Sequence, residues 1–361
     1  MRIIQIIDSL EAGGAERMSV NYANALANEI EFSGLVVSRK EGSLLKQLSE
    51  NVSYLFLNKK TVFDIQSVLK LRQFVVENKV QIVHAHSTSF FLAFLLKLVY
   101  TKVKIIWHEH YGARVNESKR DNLILFFTSL FFSSVFVVNH QLESWVRKNL
   151  IVKKVFYIPN FAVLDVNQSK FTFLKGNFGK RIVCLANLKD PKNHMALLKA
   201  FEKTKLYSIG WSLHLIGKNY NDDYSNNLKS FIKNNNLQDT VFLYNSKTDI
   251  QNILSQATIG ILCSTDEGFP VSLLEYGLAN LAVVSTNVGY CYEIVKDNFS
   301  GLLFDPLNNK EIKSKLLKMA LDKTLREKYA LHLNKSVLED YSVEKVVQLL
   351  ISNYNMLNSI K

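Results

Sequence analysis

Two glutamates eight residues apart, Glu267 and Glu275, bracket the segment whose chemistry is easiest to interpret. A strand-like run ends just before them, a glycine turn follows, and Pro270 suits the first turn of a helix, whose leading amides would be available to a phosphate. If the segment were all helical, the carboxylates would lie about 12 Å apart, suiting the sugar and ribose hydroxyls of a nucleoside diphosphate sugar. An ordinary helix with an acidic first turn is the alternative. The donor-binding residues predicted here are Gly268, Phe269, Pro270, Val271, Ser272 and Glu275.

A second polar cluster follows the strand-like run from Arg181 to Leu185. A helix beginning near Pro191 would place Lys192 at a positive helix end, where a mobile ammonium can neutralise a diphosphate. A solvated surface lysine is the alternative.

In the first half of the chain, Gly13 and Gly14 follow the first strand-like run and lead into a helix predicted to begin near Ala15. Paired glycines let the backbone approach a ligand closely, although a plain tight turn would look the same. His110 follows another strand-like run and is predicted to hydrogen-bond a sugar hydroxyl or phosphate. Its neighbours His108 and Glu109 make a poor metal site with it, because successive strand residues point to opposite faces.

The elements that must position these residues alternate between apolar strand-length runs and longer segments of helical period. This pattern predicts parallel sheets covered by helices on both faces, in two successive doubly wound α/β domains. We predict domains over residues 1–165 and 166–340, with a linker within 161–179 and a last helix over 341–361. The predicted strands are Ile3–Ile7, Leu35–Val37, Tyr54–Leu57, Gln81–Val83, Lys104–Trp107, Val135–Val138, Val155–Ile158, Arg181–Leu185, Leu213–Ile216, Val241–Leu243, Ile259–Cys263, Ala282–Ser285 and Leu302–Phe304.

Composition narrows the class of protein. The 361 residues include 44 Lys plus Arg against 32 Asp plus Glu, a formal charge of +12 that favours anionic partners, and 48% apolar residues exclude disorder as the main state. Three cysteines show neither metal-ligand spacing nor a disulfide framework, which indicates a reducing compartment. The run from Leu123 to Val138 is too short and too rich in Ser and Thr to span a membrane, and acidic residues appear too early for a signal peptide. We therefore expect a cytoplasmic protein.

Taken together, these segments resemble the retaining glycosyltransferases of glycosyltransferase family 4, also called glycosyl transferase group 1. The resemblance implies the GT-B fold, in which two Rossmann-like domains flank a cleft. It also implies an acceptor-side N-terminal domain, a donor-side C-terminal domain and a terminal helix that crosses back. The matching segments, besides Glu267 through Glu275, are Gly13–Glu16, Ile82–Ser87, His108–His110, Ile158–Asn160, Lys192–Asn193, Leu215–Gly217 and Val288–Gly289 with Glu293.

The resemblance also implies roles for single residues. Glu267 would contact the transferred sugar and Glu275 the ribose, while Lys192 would contact the donor diphosphate. His110 would be the cleft histidine, and Gly13 and Gly14 the N-terminal glycine loop. Two positions depart from the family pattern: Asn187 replaces an arginine, leaving Lys189 as a substitute cation at the donor, and Asn280 stands where many members have glycine.

The expected activity is transfer of a hexose or N-acetylhexosamine from a nucleoside diphosphate sugar to a glycan or polyprenyl-linked acceptor, in cell-surface polysaccharide biosynthesis. The sequence contains no Asp-x-Asp pair, so we expect no metal and no other cofactor. Phe90, Phe91, Phe94 and Leu95 with Lys97, Lys102 and Lys104 suggest peripheral contact with the anionic inner face of a membrane, or simply a buried helix and strand.

Two other functions stay open. A sugar-nucleotide epimerase shares the two-domain architecture and needs no acceptor. A non-catalytic nucleic-acid-binding module is disfavoured, because the charge splits evenly: residues 1–165 carry a net charge of +6 and the remainder another +6.

Overall fold

The computed structural model describes residues 1–11, 13–163 and 170–358. Residue 358 is described by its backbone alone. The chain divides into two compact units. The first unit comprises Met1–Phe161 and Val343–Lys361, and the second comprises Ala162–Ser342. The boundary predicted between residues 165 and 166 lies outside the described residues. The last helix therefore belongs to the same unit as the N-terminal half.

The first unit is built on a sheet of seven parallel strands, ordered β3-β2-β1-β4-β5-β6-β7. Its interior strands are buried over nearly their whole length, which is why their sequences are continuously apolar. The strands are β1 (Arg2–Ser9), β2 (Phe32–Lys40), β3 (Ser53–Phe56), β4 (Ile82–His86), β5 (Lys104–Glu109), β6 (Phe132–Val137) and β7 (Val155–Tyr157).

Six α-helices belong to the first unit within the described part of the chain. The predicted helix near Ala15 begins at Gly14, and the terminal helix packs against it. The helices are α1 (Gly14–Ala27), α2 (Ile65–Glu77), α3 (Phe90–Val99), α4 (Leu123–Thr128), α5 (His140–Asn149) and α13 (Val343–Asn358).

The second unit repeats this topology on six parallel strands, ordered β10-β9-β8-β11-β12-β13. The strands are β8 (Arg181–Leu185), β9 (Ser212–Ile216), β10 (Val241–Tyr244), β11 (Ile259–Leu262), β12 (Ala282–Thr286) and β13 (Leu302–Phe304). The helices are α6 (His194–Thr204), α7 (Asp223–Asn234), α8 (Ile250–Ser255), α9 (Val271–Leu278), α10 (Cys291–Ile294), α11 (Asn309–Leu321) and α12 (Lys323–Asp340).

All thirteen predicted strands are confirmed, with ends that differ by a few residues. The predicted helix start near Pro191 is wrong, because α6 begins at His194. Asn193 adopts a left-handed conformation with φ 55°, and the Lys192 amide donates to the Lys189 carbonyl at 2.9 Å, so this segment forms a turn before the helix. Asn280, which stands where many family members have glycine, is also left-handed, at φ 55°, and follows the end of α9.

The strand order reverses between β1 and β4 in the first unit and between β8 and β11 in the second. In open parallel sheets, ligands bind beyond the carboxyl ends of the strands at such reversals. Within the described residues, none of the helices has both the length and the apolarity required to cross a membrane. The run from Leu123 to Val138 instead forms α4, a short 3-10 turn and β6.

Candidate functional site

A lysine and a glutamate meet at the reversal point of the second sheet. The Lys192 ammonium lies 2.6 Å from a carboxylate oxygen of Glu267. The Glu267 side chain is only 9% exposed and that of Lys192 24%, so the pair is largely shielded from water. These two predicted residues are 75 positions apart in the chain, and the fold brings them together because they follow the neighbouring strands β8 and β11.

The two loops that carry this pair are tied together by their backbones. The Thr265 amide donates to the Pro191 carbonyl at 2.9 Å, which links the loop after β11 to the loop after β8. Gly289, from the turn after β12, has φ 55° and lies so close that a β-carbon there would overlap the Glu267 carbonyl oxygen. Gly289 is therefore required both by its conformation and by the close approach of two backbones.

Burial shapes the acidity of the groups around the pair. The pKa of Asp266 is raised by its removal from water and by repulsion from Glu267, while Lys192 opposes the shift. Burial likewise raises the pKa of the Cys184 thiol to about 12, so this thiol is protonated at neutral pH. The charged chemistry of the site thus rests on Lys192 and the acidic residues, not on a thiolate.

Phe269 anchors the loop after β11 by packing its buried ring against two tyrosines. Its side chain is 6% exposed, stacks on Tyr290 with ring centres 5.0 Å apart, and meets the edge of the Tyr341 ring at 5.5 Å. This packing fixes the turn that carries Glu267. The structure therefore places Phe269 in the base of the predicted site.

The helix after the turn begins at Val271, as Pro270 indicates. The first bond within it runs from the Leu273 amide to the Pro270 carbonyl at 3.1 Å, so the amides of Val271 and Ser272 belong to the leading turn. Tyr276, on the same helix, accepts a hydrogen bond from the Leu185 amide at 2.7 Å and so ties α9 to the end of β8. Glu275 is half-buried on this anchored helix.

Asn187 and Lys189 lie in the loop after β8. The Asn187 side-chain oxygen accepts a hydrogen bond from the Lys218 amide at 2.8 Å, which ties this loop to the loop after β9. Gly217 permits the contact, because a β-carbon there would overlap the Ala186 carbonyl. Asn187 thus acts within the protein, whereas Lys189 is exposed.

The predicted glycine loop of the first unit follows β1. Gly13 is extended, with φ −158°, and α1 begins at Gly14. Apart from its chain neighbours and the backbone of α1, a β-carbon at Gly14 would meet no heavy atom of the described residues within 4 Å, so the space beside this backbone is open. The structure thus leaves room for a ligand at the start of α1.

Four histidines form a stack that the sequence analysis did not predict: His84 and His86 on β4, His108 on β5, and His110 directly after β5. The rings of His84 and His108 are 5.1 Å apart and 15° from parallel, and those of His108 and His110 are 4.1 Å apart. His84 bonds to His108 at 3.1 Å, and His86 to His110 at 3.0 Å. The sequence signal for this stack is that His84 and His86, and likewise His108 and His110, are two residues apart. Side chains two residues apart along a strand lie on the same face of the sheet.

The hydrogen bonds of this histidine stack extend to side chains on α13 and β1. His84 bonds to the Tyr354 hydroxyl of α13 at 2.5 Å, and His86 bonds to the Gln5 side-chain oxygen of β1 at 2.8 Å. Burial lowers the pKa of His110 to about 3, with Asn160 opposing the shift. His110 is therefore neutral at pH 7 and offers hydrogen bonds instead of positive charge.

Ring nitrogens of His84, His86 and His108 lie within 4.8 Å of one another. A tetrahedral zinc ion would need its nitrogen ligands to converge to about 2.1 Å from a common point. Near-parallel rings do not converge in this way, and both nitrogens of His84 already form hydrogen bonds. The geometry favours a hydrogen-bonded network.

Glu109 fixes the backbone next to His110. Its buried carboxylate forms an ion pair with Arg114 and accepts hydrogen bonds from the amides of His110 at 2.8 Å and Tyr111 at 2.9 Å. Burial raises the pKa of Glu109, although Arg114 and these bonds oppose the shift. Glu109 thus points away from the histidine stack and positions the loop that carries His110.

Comparison with known proteins identifies the family. The family described as "Glycosyltransferase Family 4" matches residues 12–166, and "Glycosyl transferases group 1" matches residues 166–331. The chain belongs to this family and is a glycosyltransferase. Its two parallel-sheet Rossmann-like units form the GT-B fold.

Individual relatives agree with this assignment. The chain is 23% identical to the UDP-Gal:alpha-D-GlcNAc-diphosphoundecaprenol alpha-1,3-galactosyltransferase of Escherichia coli, over 86% of each chain. It is 22% identical to the O-antigen biosynthesis glycosyltransferase WbnH of Escherichia coli, covering 93% of this chain and 96% of that one. Anabaena HepE, solved in complex with UDP and glucose, has the same fold, with a TM-score of 0.81, 16% identity and coverage of 99% and 100%.

Proposed function

We propose that this glycosyltransferase transfers a hexose or N-acetylhexosamine from a nucleoside diphosphate sugar, with retention of configuration, to a glycan or polyprenyl-linked acceptor. The observation that carries the proposal is the shielded pair of Lys192 and Glu267 beside the leading turn of α9. A cation and the leading amides of a helix at one edge of the sheet suit a diphosphate, and a carboxylate beside them suits sugar hydroxyls.

In the proposed mechanism, negative charge accumulates on the departing diphosphate while the sugar becomes oxocarbenium-like. Lys192 and the amides of Val271 and Ser272 would stabilise that charge, and such preorganised electrostatics are commonly the largest catalytic contribution. Glu267 compensates the charge of Lys192 at 2.6 Å. A donor diphosphate that pairs with the Lys192 ammonium would release Glu267 to contact the transferred sugar.

Other residues would complete the binding of both substrates. We propose that Glu275 contacts the ribose of the donor and that exposed Lys189 contributes a second cation to the diphosphate. In the first unit, neutral His110 would form a hydrogen bond with a substrate hydroxyl. The open space beside the Gly14 backbone would admit a ligand at the start of α1.

The donor and acceptor classes are supported by the relatives. Their names include a UDP-sugar donor, a diphosphoundecaprenol acceptor and O-antigen biosynthesis, and a structure of the same fold contains UDP. We accordingly propose a UDP-sugar donor and a role in a cell-surface polysaccharide such as capsule or lipopolysaccharide. The enzyme would then work in the cytoplasm, in peripheral contact with the anionic inner face of the membrane.

A thermal-shift comparison of UDP, GDP and ADP tests the donor site. We expect stabilisation by one nucleotide, about 2.7 kcal/mol at a concentration of 100 Kd, and loss of that stabilisation in Glu275→Ala. Stabilisation that is equal in the variant would contradict the assigned ribose contact. Product analysis completes the test, because release of a new nucleotide sugar in the absence of acceptor would identify an epimerase instead.

We also propose that the transfer needs no metal ion, since the fixed cation Lys192 would compensate the diphosphate. Activity should persist in excess EDTA. Complete loss of activity, restored by Mn²⁺ or Mg²⁺, would refute this part of the proposal.

A further inference from the structure

Three consecutive helices of the first unit, α2, α3 and α4, pack side by side, α2 against α3 and α3 against α4. Each buries one apolar stripe and exposes another. On α2 the exposed apolar residues are Ile65, Leu69 and Val76, which share one face of the helix with the exposed residue Arg72 because the four are spaced by four, three and four. Ile65 is 72% exposed, so this face has no cover within the described structure.

The neighbouring helices show the same excess of apolar residues. Nine of the ten residues of α3 are apolar, yet only Leu92, Ala93 and Leu96 are buried, and Leu98 is 54% exposed. A helix that is apolar all round is normally covered on every side. On α4, Phe127 remains 61% exposed.

Aromatic contacts join these stripes into one surface. Phe63, before α2, meets Phe91 of α3 with ring centres 5.6 Å apart, and Phe91 meets Phe94 at 5.9 Å. Phe94 then meets Phe131, after α4, at 5.1 Å. We call this surface the helical face and define it by six exposed apolar side chains: Phe63, Ile65, Leu69, Leu98, Ile124 and Phe127.

Positive charge is concentrated in the segment that forms the helical face. Residues 59–131 contain 11 basic and 5 acidic residues, whereas the rest of residues 1–165 contains 9 of each. The whole net charge of +6 in residues 1–165 therefore belongs to this segment. Lys102, Lys119 and Arg120 are exposed, and the Lys119 ammonium lies 3.6 Å from the centre of the Phe126 ring.

Two of the lysines predicted to face a membrane serve inside the protein instead. The Lys97 ammonium donates to the carbonyls of Thr101 and Val103, at 2.7 and 2.6 Å. Lys104 donates to the Leu357 carbonyl at 2.6 Å. Of the predicted basic residues, Lys102 is the one that remains exposed.

We infer that the helical face lies on an anionic lipid bilayer. Exposed aromatic and aliphatic side chains leave water by entering the acyl boundary, and basic residues around them are attracted to lipid phosphates. A second copy of this chain is a poorer occupant, because it would bring two surfaces of the same positive sign together. The inference rests on the proposed function only in that a polyprenyl-linked acceptor would also lie in that bilayer.

The experiment measures sedimentation of the full chain with vesicles at low ionic strength. Vesicles of phosphatidylcholine with phosphatidylglycerol are compared with phosphatidylcholine alone. We expect clear preference for the anionic vesicles. The variant Ile65→Ser/Phe127→Ser should bind them at least about tenfold more weakly than the unchanged protein. The matched control is Leu331→Ser/Leu338→Ser on α12, whose side chains are 62% and 50% exposed and which should bind like the unchanged protein.

Several outcomes would overturn the inference: no binding by the unchanged protein, equal loss in the control, or undiminished binding by the helical-face variant. A dimer in light scattering that this variant abolishes would assign the face to a second copy instead. Stabilisation by UDP is measured on the same samples. Because that readout reports on the second unit, failure of the membrane surface and failure of the proposed donor site are distinguished.

Discussion

The two units share one sheet topology but carry different polar chemistry on and after their central strands. In the first unit, buried histidines on β4 and β5 form a neutral network that the hydroxyl of Tyr354 continues. In the second, Lys192 and Glu267 form a charged pair on the loops after β8 and β11. The comparison teaches that topology determines where polar side chains gather, while their types decide whether the cluster is neutral or charged. Under the proposed function, the charged pair would bind the donor diphosphate and neutral His110 would bind a hydroxyl group.

Acid should separate the two units most strongly. In the first unit, burial holds the pKa of all four stacked histidines below the ordinary 6.5. In the second unit, burial lowers the pKa of His194 to about 4 and that of His214 to about 3. The unfolded chain therefore binds protons that the folded chain does not. Stability is full above pH 6.5 and falls below it, by about 1.4 kcal/mol per pH unit for each histidine. At pH 5.5 the first unit, with four such histidines, should lose about 6 kcal/mol and the second, with two, about 3 kcal/mol.

Urea unfolding at pH 7.5 and 5.5 measures this difference. Trp107 and Trp145 lie in the first unit and Trp211 in the second. Fluorescence of the Trp211→Phe protein thus reports on the first unit, and that of Trp107→Phe/Trp145→Phe on the second. Equal losses in both units would show that the histidine stack is not the acid-sensitive element.

Removing the cation of the charged pair should give the largest effect of a substitution on activity. We expect Lys192→Ala to lower kcat by about 10² to 10³-fold, because the departing diphosphate loses a preorganised positive charge. Lys189→Ala, which removes an exposed lysine of the same loop, should cost less than about tenfold. Steady-state kinetics with the preferred donor decide the matter, and similar losses in both variants would contradict the assignment.

The backbone contact behind Glu267 should matter next. Gly289→Ala would force the turn after β12 away from the Glu267 carbonyl. We therefore expect activity to fall by about 10 to 100-fold. The stability of the first unit should not change. Gly179→Ala is the matched control, because Gly179 also has positive φ, 78°, but open space around it. If both variants lose the same activity, conformational strain and not the close contact is responsible.

The smallest expected effect concerns the link between α13 and the histidine stack. Tyr354→Phe removes the hydroxyl bonded to His84 and should lower the stability of the first unit by about 1 to 3 kcal/mol. Tyr224→Phe, which removes a hydroxyl bonded to His194 at 2.9 Å, should act in the same way on the second unit alone. The two fluorescence reporters above test both, and an effect of Tyr354→Phe on the second unit would contradict this separation.

Most of the fold is predictable from the sequence, because interior strands of a parallel sheet are buried on both faces and must be apolar throughout. Local signals also predict the start of α9 after Pro270 and the left-handed Asn280. The start of α6 is not predictable in the same way. Proline suits either a first helical turn or an ordinary turn, and the left-handed Asn193 decides between them.

Within the candidate site, the sequence supplied the types of groups and their position after particular strands. Only the tertiary structure decided that Lys192 pairs with Glu267 and that Gly289 packs against the Glu267 backbone. The same holds for the hydrogen bond by which the Asn187 side chain links the loop after β8 to the loop after β9. Hydrophobic periodicity records whether each residue is buried, which is a local property. Contacts between side chains far apart in the chain depend on how strands are ordered in the sheet, and no single segment carries that information.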